Sequence, residues 1–146
     1  MNENFREFLR LLIERKVEYL LVGGFVVGFY GYPRYTGDLD IWISLTIENR
    51  DKIIKVLKDF GFESLGLTAM DFEKKGTIVQ LGFPPNRIDI INDLDELQFD
   101  KCFTRKKIIE YENLKISCIS LEDLIKNKKA VGRLKDQLDL ENLIKK

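Results

Sequence analysis

Residues 19–44 have the sequence YLLVGGFVVGFYGYPRYTGDLDIWIS, and this stretch decides the fold that we predict. The apolar run at 19–22 has the length of one buried strand. A second predicted strand, at 38–44, carries Asp38 and Asp40 at alternate positions, so both carboxylates should point to the same face. Two like charges on an otherwise apolar strand repel each other and are costly to desolvate unless a cation lies between them. The pattern therefore indicates a metal site.

A glycine pair, Gly23 and Gly24, lies where the first strand should turn into a short, fully buried helix at 24–30. Because glycine has no Cβ, the backbone can approach a ligand closely, and free N–H groups at a helix start favour an anion. A Gly-Gly pair alone more often marks a tight turn. Its weight here comes from the Asp-x-Asp pattern that follows it.

A third carboxylate, Asp89, stands alone among apolar residues in the predicted strand at 87–91. If that strand lies beside the one carrying Asp38 and Asp40, all three acids cluster, since neighbouring strands are about 4.8 Å apart. Such a cluster suits two magnesium ions that align a phosphoryl displacement, with Asp89 a candidate proton acceptor. The alternative is three surface aspartates on half-exposed strands; the apolar flanks favour the active site.

The composition predicts one folded domain over residues 1–146, with a core at 17–92 and a C-terminal hairpin and helices at 105–146. The chain has 146 residues, 45% of them hydrophobic and 33% charged, which suits a single core. Its 24 basic and 24 acidic residues cancel, which argues against a surface that coats nucleic acid. The sequence has no histidine, so proton transfer would fall to a carboxylate, lysine or tyrosine.

Cysteine usage and hydropathy predict a cytoplasmic protein that does not enter a membrane. Cys102 and Cys118 form no CxxC pattern, so we expect free thiols in a reducing compartment. The first residues, MNENFREF, are acidic and polar, unlike a signal peptide. The apolar stretch at 19–31 is too short and too rich in glycine to span a bilayer.

Strands and helices intermingle along the chain, which predicts an α/β (α+β) fold with a small mixed sheet and helices packed on it. We predict helices at 3–15, 24–30, 48–60 (with Thr46 as its N-cap), 120–131 and 134–144, and strands at 17–22, 38–44, 77–83, 87–91 and in a hairpin at 107–119 that turns at Glu112 and Asn113. Residues 62–75 give only weak strand signals.

The segment LVGGFVVGFYGYPRYTGDLDIWI, followed by GFPPNRIDII, resembles the nucleotidyltransferase superfamily whose fold is shared with DNA polymerase beta. More closely, it resembles the bacterial minimal nucleotidyltransferases grouped with abortive-infection toxins. The resemblance covers residues 17–92 and, more loosely, the closing ISLEDLIKNKKAVGRLKDQLDL. It implies the nucleotidyltransferase fold and the transfer of a nucleoside monophosphate from a nucleoside triphosphate such as ATP to an acceptor hydroxyl on a protein, an RNA or a small molecule. It also raises a toxin–antitoxin or phage-defence role.

The resemblance assigns roles to the residues of the central motif. Asp38 and Asp40 would hold two Mg²⁺ ions, or Mn²⁺ in their place, and Asp89 would contact one metal and the nucleophile. Gly23 and Gly24 would contact the triphosphate. Gly24 stands where a serine often binds phosphate, so a side-chain contact is not expected there.

Further candidates for nucleotide binding flank this motif. Arg34 could pair with a phosphate and Thr36 could support Asp38, and an ordinary surface loop is an equal alternative. Trp42 shares a face with the two acids, where it either stacks on a nucleobase or simply packs.

A basic cluster near the C-terminus supplies two more candidates, Lys129 and Arg133. The cluster consists of Lys126, Lys128, Lys129, Arg133 and Lys135. It would reach the triphosphate or an RNA acceptor; a solvated helix face is the simpler alternative.

Two other function classes stay open. One is a non-catalytic nucleotide- or partner-binding module that kept the fold; the other is an RNA-binding regulator acting through the basic cluster. A homodimer or a partner protein would complete the site if the short chain does not.

Overall fold

The computed structural model describes residues 1–31, 37–83 and 86–144, which form six α-helices and six β-strands. The helices are α1 (Glu3–Glu14), α2 (Gly24–Phe29), α3 (Ile47–Asp59), α4 (Phe99–Thr104), α5 (Leu121–Val131) and α6 (Leu134–Ile144). The strands are β1 (Tyr19–Val22), β2 (Leu39–Ile43), β3 (Ile78–Leu81), β4 (Ile88–Ile91), β5 (Lys107–Tyr111) and β6 (Leu114–Cys118).

All six strands form one mixed sheet in the order β3-β4-β2-β1-β6-β5. The β2–β4 and β1–β6 pairs are parallel, and the β1–β2, β3–β4 and β5–β6 pairs are antiparallel. Helices α1 and α3 pack on each other, and α5 packs on α6. The predicted α/β class and mixed sheet are thereby confirmed. Strands β2 and β4, whose adjacency the predicted carboxylate cluster requires, are neighbours.

The core lies between the sheet and the helices. Every residue of β1 is buried, and in β2 the side chains of Leu39, Ile41 and Ile43 are fully covered, as their alternation predicts. The N-cap Asn2 accepts a hydrogen bond from the Phe5 backbone and begins α1. The apolar residues at helical spacing along α1, Phe5, Phe8, Leu9 and Leu12, are all buried, and the helix predicted at 3–15 is confirmed.

The start of α3 ties two strands together. Thr46 caps the helix as predicted, with its hydroxyl accepting from the Asn49 backbone N–H at 3.3 Å. The buried Asn49 side chain accepts from the Glu18 N–H and donates to the Glu18 and Ser44 carbonyls. These bonds satisfy backbone groups that are buried or partly buried where β1 begins and β2 ends.

The hairpin of β5 and β6 turns where the sequence predicts. Glu112 and Asn113 both have positive φ, 50° and 67°, which is the conformation of a two-residue type I′ turn. Asparagine tolerates this region better than most residues do. The predicted hairpin is confirmed.

Three local expectations need correction. Helix α2 was expected to be fully buried, but only one side of it is, at Gly24, Val26 and Val27. Residues 62–75 contain two 3₁₀ turns, Glu63–Leu65 and Ala69–Phe72, where strand signals were weak. Helix α4 was not predicted because it has six residues and its N-cap, Gln98, makes no capping bond with its side chain.

Asn92, just after β4, organises the loop that leads into β3. Its side-chain oxygen accepts from the backbone N–H groups of Gly76 and Thr77 at 2.8 and 2.9 Å. Its amide nitrogen donates to the carbonyls of Phe72 and Lys74 at 3.1 and 2.7 Å. Asn92 is 4% exposed, so these bonds replace water for four backbone groups.

We expect Asn92→Ala to lower the free energy of unfolding by about 3 kcal/mol, because it removes four hydrogen bonds that are buried or partly buried. Urea denaturation measures this loss. Asn4→Ala, an exposed change on α1, is the control and should stay within about 0.5 kcal/mol of the parent. Equal stability of the two variants would show that the Asn92 bonds contribute nothing.

The two cysteines are buried and free, as expected. Burial raises the pKa of Cys118 to about 12 and that of Cys102 to about 11. Both thiols are therefore protonated at neutral pH, which makes them poor nucleophiles.

None of the helices in the described ranges has both the length and the apolar character needed to cross a membrane.

Candidate active site

A cleft of about 460 Å³ opens where β1, β2 and β4 approach the C-terminal helices. Its described lining includes the glycine pair, the three predicted carboxylates and several further charged groups. These residues are Gly23, Gly24, Asp38, Asp40, Arg87, Asp89, Asp93, Asp95, Lys128, Arg133 and Asp136. The structure thus brings five of the predicted central residues to one place.

Asp40 and Asp89 are direct neighbours across the sheet. In the parallel pairing of β2 with β4, Asp40 lies opposite Asp89, so both side chains leave the same face. Asp38 lies two residues before Asp40, on the approach to β2, and lines the same cleft. The condition on which the predicted cluster depended, adjacency of the two strands, is met.

Gly23 makes this arrangement possible at the end of β1. Its φ is 76°, in the region that glycine adopts without strain. A Cβ at this position would lie 2.2 Å from Oδ2 of Asp40 and 3.0 Å from its Cγ. The carboxyl group of Asp40 therefore occupies the space that the missing side chain of Gly23 leaves.

Arg87 joins two of the acids. Its Nε donates to Oδ1 of Asp89 at 2.7 Å, and its Nη2 donates to Oδ2 of Asp89 at 3.1 Å and to Oδ2 of Asp38 at 3.0 Å. Because both Oδ2 atoms contact one nitrogen, they are at most about 6 Å apart, the sum of the two distances. The hydrogen bond to Asp89 is the main cause that raises the pKa of Arg87, so the guanidinium stays charged.

Sequence reasoning did not single out Arg87, although a signal was present. Arg87 stands two residues before Asp89 in an extended segment, and alternate residues of such a segment share a face. An arginine and an aspartate at this spacing are placed to pair.

The chemistry of the three carboxylates suits magnesium, which prefers oxygen ligands. Within the described ranges, however, no set of three or more acidic, histidine or cysteine side chains is already gathered tightly enough to hold a metal ion. Two of the acids instead face the guanidinium of Arg87, which shows that this part of the cleft accepts a cation. The three carboxylates offer the oxygen ligands that magnesium prefers, and in this structure two of them are paired with Arg87.

The basic cluster is divided by the structure. Lys128 is 4% exposed and forms ion pairs with Asp136 at 3.1 Å and Asp139 at 2.9 Å, which joins α5 to α6. Arg133 lines the cleft and its Nε contacts Asp136 at 2.8 Å. Lys129 is exposed and lies outside the cleft lining. Of the two predicted nucleotide contacts here, the structure places Arg133 at the cleft and Lys129 away from it.

Helical spacing carried a signal for the buried lysine. Lys128 lies four residues after the buried Leu124, so both share the inward side of α5. Asp136 and Asp139 are three residues apart and face it together from α6.

Lys128→Met should lower the free energy of unfolding by about 3–5 kcal/mol, because it removes a buried cation that pairs with two buried carboxylates. Lys129→Met, the neighbouring exposed change, should stay within about 0.5 kcal/mol of the parent. Guanidinium chloride denaturation of both variants measures the difference. Similar stabilities would contradict a structural role for the buried pair.

The same cluster predicts a loss of stability in acid. Burial alone would raise the pKa of Asp136, but hydrogen bonds from Arg133 and Lys128 outweigh it and hold the pKa below the ordinary 3.8. A carboxyl with a lowered folded-state pKa contributes stability above its ordinary pKa, and that contribution is lost as the pH falls through the folded value. Asp136 therefore stabilises the fold at neutral pH and ceases to do so only below pH 3.8.

Three other predicted candidates have different outcomes. Arg34 and Thr36 lie outside the described residues. Trp42 is 1% exposed and packs edge-on against Phe99, with ring centroids 5.2 Å apart. Its role is packing, and it is not available to stack on a base.

The fold has counterparts among solved structures. A candidate nucleotidyltransferase from Thermotoga maritima matches with a TM-score of 0.61 and 19% identity, over 97% of this chain and 90% of that chain. The lincosamide antibiotic adenylyltransferase LnuA, solved with lincomycin bound, matches with a TM-score of 0.59 and 21% identity, over 98% and 96% of the two chains. An antigenic nucleotidyltransferase-like protein from Paracoccidioides brasiliensis gives 0.56 and 13%, over 97% and 73%.

The sequence itself matches no protein-family model and no curated protein. At the identities of the structural matches, the similarity concerns the fold and not the substrate. TM-scores of 0.61 and 0.59, each over nearly the whole of both chains, lead to one conclusion: this chain has the nucleotidyltransferase fold.

Proposed function

We propose that the protein is a metal-dependent nucleotidyltransferase that moves a nucleoside monophosphate from a nucleoside triphosphate to an acceptor hydroxyl. The observation that carries this proposal is the meeting of Asp40 and Asp89 on paired strands, beside Asp38, in a cleft bordered by Gly23 and Gly24. Structural neighbours that are named as nucleotidyltransferases support the same class.

The charge of the cleft supports metal dependence. Among the described lining residues, six carboxylates face three basic side chains. A triphosphate is strongly anionic, so such a cleft would repel it unless further positive charge is present. Magnesium bound by Asp38, Asp40 and Asp89, or manganese in its place, would supply that charge. Nucleotide binding should therefore require a divalent ion and be abolished by a chelator.

The residues of the cleft would have separate roles in the reaction. A divalent ion, when bound, neutralises phosphate charge and makes the acceptor hydroxyl more acidic. The acceptor oxygen forms a bond to the α-phosphorus, the bond from that phosphorus to the bridging oxygen breaks, and pyrophosphate leaves. Asp89 would take the hydroxyl proton, since the chain has no histidine. Gly23 and Gly24 would let the backbone approach the phosphates, and Arg133 would face them from the C-terminal side.

The proposal includes three classes of acceptor: a small molecule, a protein and an RNA. LnuA, a structural neighbour, is an adenylyltransferase with an antibiotic bound, which supports a small hydroxylated molecule. The resemblance to abortive-infection toxins supports a protein or an RNA, and with it a toxin–antitoxin role in the cytoplasm. The pairing of Lys128 and Arg133 with Asp136 reduces the positive charge that the C-terminal cluster could offer to an RNA.

The test is transfer of label from each of the four nucleoside triphosphates, labelled at the α-phosphate, in the presence of magnesium. Cellular protein, total RNA and a small-molecule extract serve as separate acceptors. Label should appear in one acceptor class and disappear with a chelator. Absence of label from every class, with every triphosphate, would contradict the proposed reaction.

A second candidate is a nucleotide- or partner-binding module without catalysis. The hydrogen bonds of Arg87 favour it, since they give Asp38 and Asp89 a cationic partner that belongs to the chain itself. Such a module would bind a triphosphate or a protein with no release of pyrophosphate. Gel filtration with light scattering would establish whether the chain forms a homodimer, as a site completed by a second copy requires.

A further inference from the structure

We propose that Arg87 is a tethered counter-ion of the carboxylate site, which competes with free divalent ions and makes metal uptake depend on the nucleotide. This inference rests on the proposed function, because it concerns the same three acids. Arg87 would control metal binding through Asp38 and Asp89, and would contact the nucleotide only once its phosphates enter the cleft.

The guanidinium of Arg87 occupies the carboxylate of Asp89. Both oxygens of that carboxylate accept from the guanidinium, at 2.7 and 3.1 Å. A metal ion at Asp89 needs at least one of those oxygens as a ligand, and a cation and an N–H donor compete for the same lone pairs. Arg87 must then release a hydrogen bond before the acid can bind the ion.

Arg87 also brings a positive charge to the carboxylates. Its side chain is 25% exposed, that of Asp38 29% and that of Asp89 10%, so the contacts are partly shielded from water. Like charges repel more strongly there than in bulk solvent. A free divalent ion therefore meets a site whose negative charge is already reduced by one.

A nucleotide would offer Arg87 alternative hydrogen-bond acceptors. A metal–triphosphate complex carries phosphate oxygens, which are good acceptors for a guanidinium. When such a complex enters, Arg87 exchanges a hydrogen bond to a carboxylate oxygen for one to a phosphate oxygen. The exchange costs little free energy, because both acceptors are anionic. A free ion offers no such exchange. The arginine thus selects the metal–nucleotide complex over the free metal.

The experiment measures Mn²⁺ binding by the loss of its free electron paramagnetic resonance signal, with and without a non-hydrolysable triphosphate. In the parent protein, Mn²⁺ should bind weakly alone and more tightly with the nucleotide. Removing the competing charge with Arg87→Met should tighten the binding of free Mn²⁺ about tenfold. It should also shrink the gain that the nucleotide provides. An affinity for free Mn²⁺ that is unchanged or weaker in Arg87→Met would overturn the inference.

Arg105→Met is the matched control, because Arg105 also donates two hydrogen bonds to one carboxylate outside the cleft. Its Nε and Nη2 lie 3.1 and 3.0 Å from the oxygens of Asp123. Arg105→Met should lower thermal stability and leave Mn²⁺ binding unchanged. If Arg87→Met does not fold, Arg87→Gln removes the charge but keeps a polar side chain, and should also bind free Mn²⁺ more tightly than the parent does. Equal or weaker binding by Arg87→Gln would overturn the inference in that case.

The two proposals fail in different ways. A parent protein that binds no Mn²⁺ under either condition would remove the metal from the proposed function and this inference with it. A parent that binds Mn²⁺ with nucleotide, together with an Arg87→Met variant that binds the free ion no more tightly, would overturn this inference alone.

Discussion

Replacing Asp40 with asparagine is expected to slow nucleotidyl transfer about a thousandfold, while the protein stays folded. The amide keeps the shape of the carboxyl group, which fills the space beside Gly23, and removes the negative charge opposite Asp89. That charge would hold the metal ion that neutralises the phosphates. Label transfer under saturating magnesium measures the rate, and circular dichroism with heating checks the fold.

The control for this change is Asp59→Asn. Asp59 is a carboxylate at the end of α3 that pairs with Arg15 at 2.7 Å, away from the cleft lining. Its removal alters the net charge by the same amount, and we expect little change in transfer. A rate for Asp40→Asn close to that of Asp59→Asn would mean that the carboxylates of the cleft do not carry the reaction.

Gly23→Ala should destabilise the protein by about 2–4 kcal/mol and distort the site at the same time. A φ of 76° is strained for alanine, and the new Cβ would lie 2.2 Å from Oδ2 of Asp40, well inside contact distance. Either the turn after β1 or the side chain of Asp40 has to move. Denaturant unfolding measures the stability, and label transfer should fall with it.

Gly28→Ala tests whether this effect belongs to the position. Gly28 lies in α2, the helix whose N-cap is Gly23, and a Cβ there meets no atom within 4 Å. Alanine has a higher helix propensity, so stability should be unchanged or higher by up to about 1 kcal/mol. If both variants lose the same stability, the contact between Gly23 and Asp40 is not what requires glycine.

The central part of the fold was predictable because burial and alternation act locally. Leu39, Ile41 and Ile43 are apolar at every second position, and a one-residue shift would expose them all. The same alternation places Asp40 on the opposite face from these residues. Pairing of β2 with β4 could be stated only as a condition, since strand order depends on contacts far apart in the sequence.

The details of the site were less predictable, because they depend on which of several similar residues faces inward. Five basic residues lie close together near the C-terminus, and composition gives no reason to prefer Lys128 to Lys129. One residue along a helix is a turn of about 100°, enough to move a side chain from the interior to solvent. The partners that decide, Asp136 and Asp139, belong to the next helix.

Arg87 illustrates the same limit in a strand. Its spacing from Asp89 predicts that they share a face, but the contact with Asp38 requires β2 and β4 to be neighbours. A residue that joins two strands becomes visible only once their pairing is known.

The most direct test of the account is to compare triphosphates labelled at the α-phosphate with the same compounds labelled at the γ-phosphate. Nucleotidyl transfer predicts that the α-label becomes attached to the acceptor, that the γ-label leaves in pyrophosphate, and that both events require magnesium and Asp40. Transfer of the γ-label to the acceptor would identify a kinase-type reaction and contradict the account. Binding of triphosphate with neither label transferred would leave a binding module in place of the enzyme.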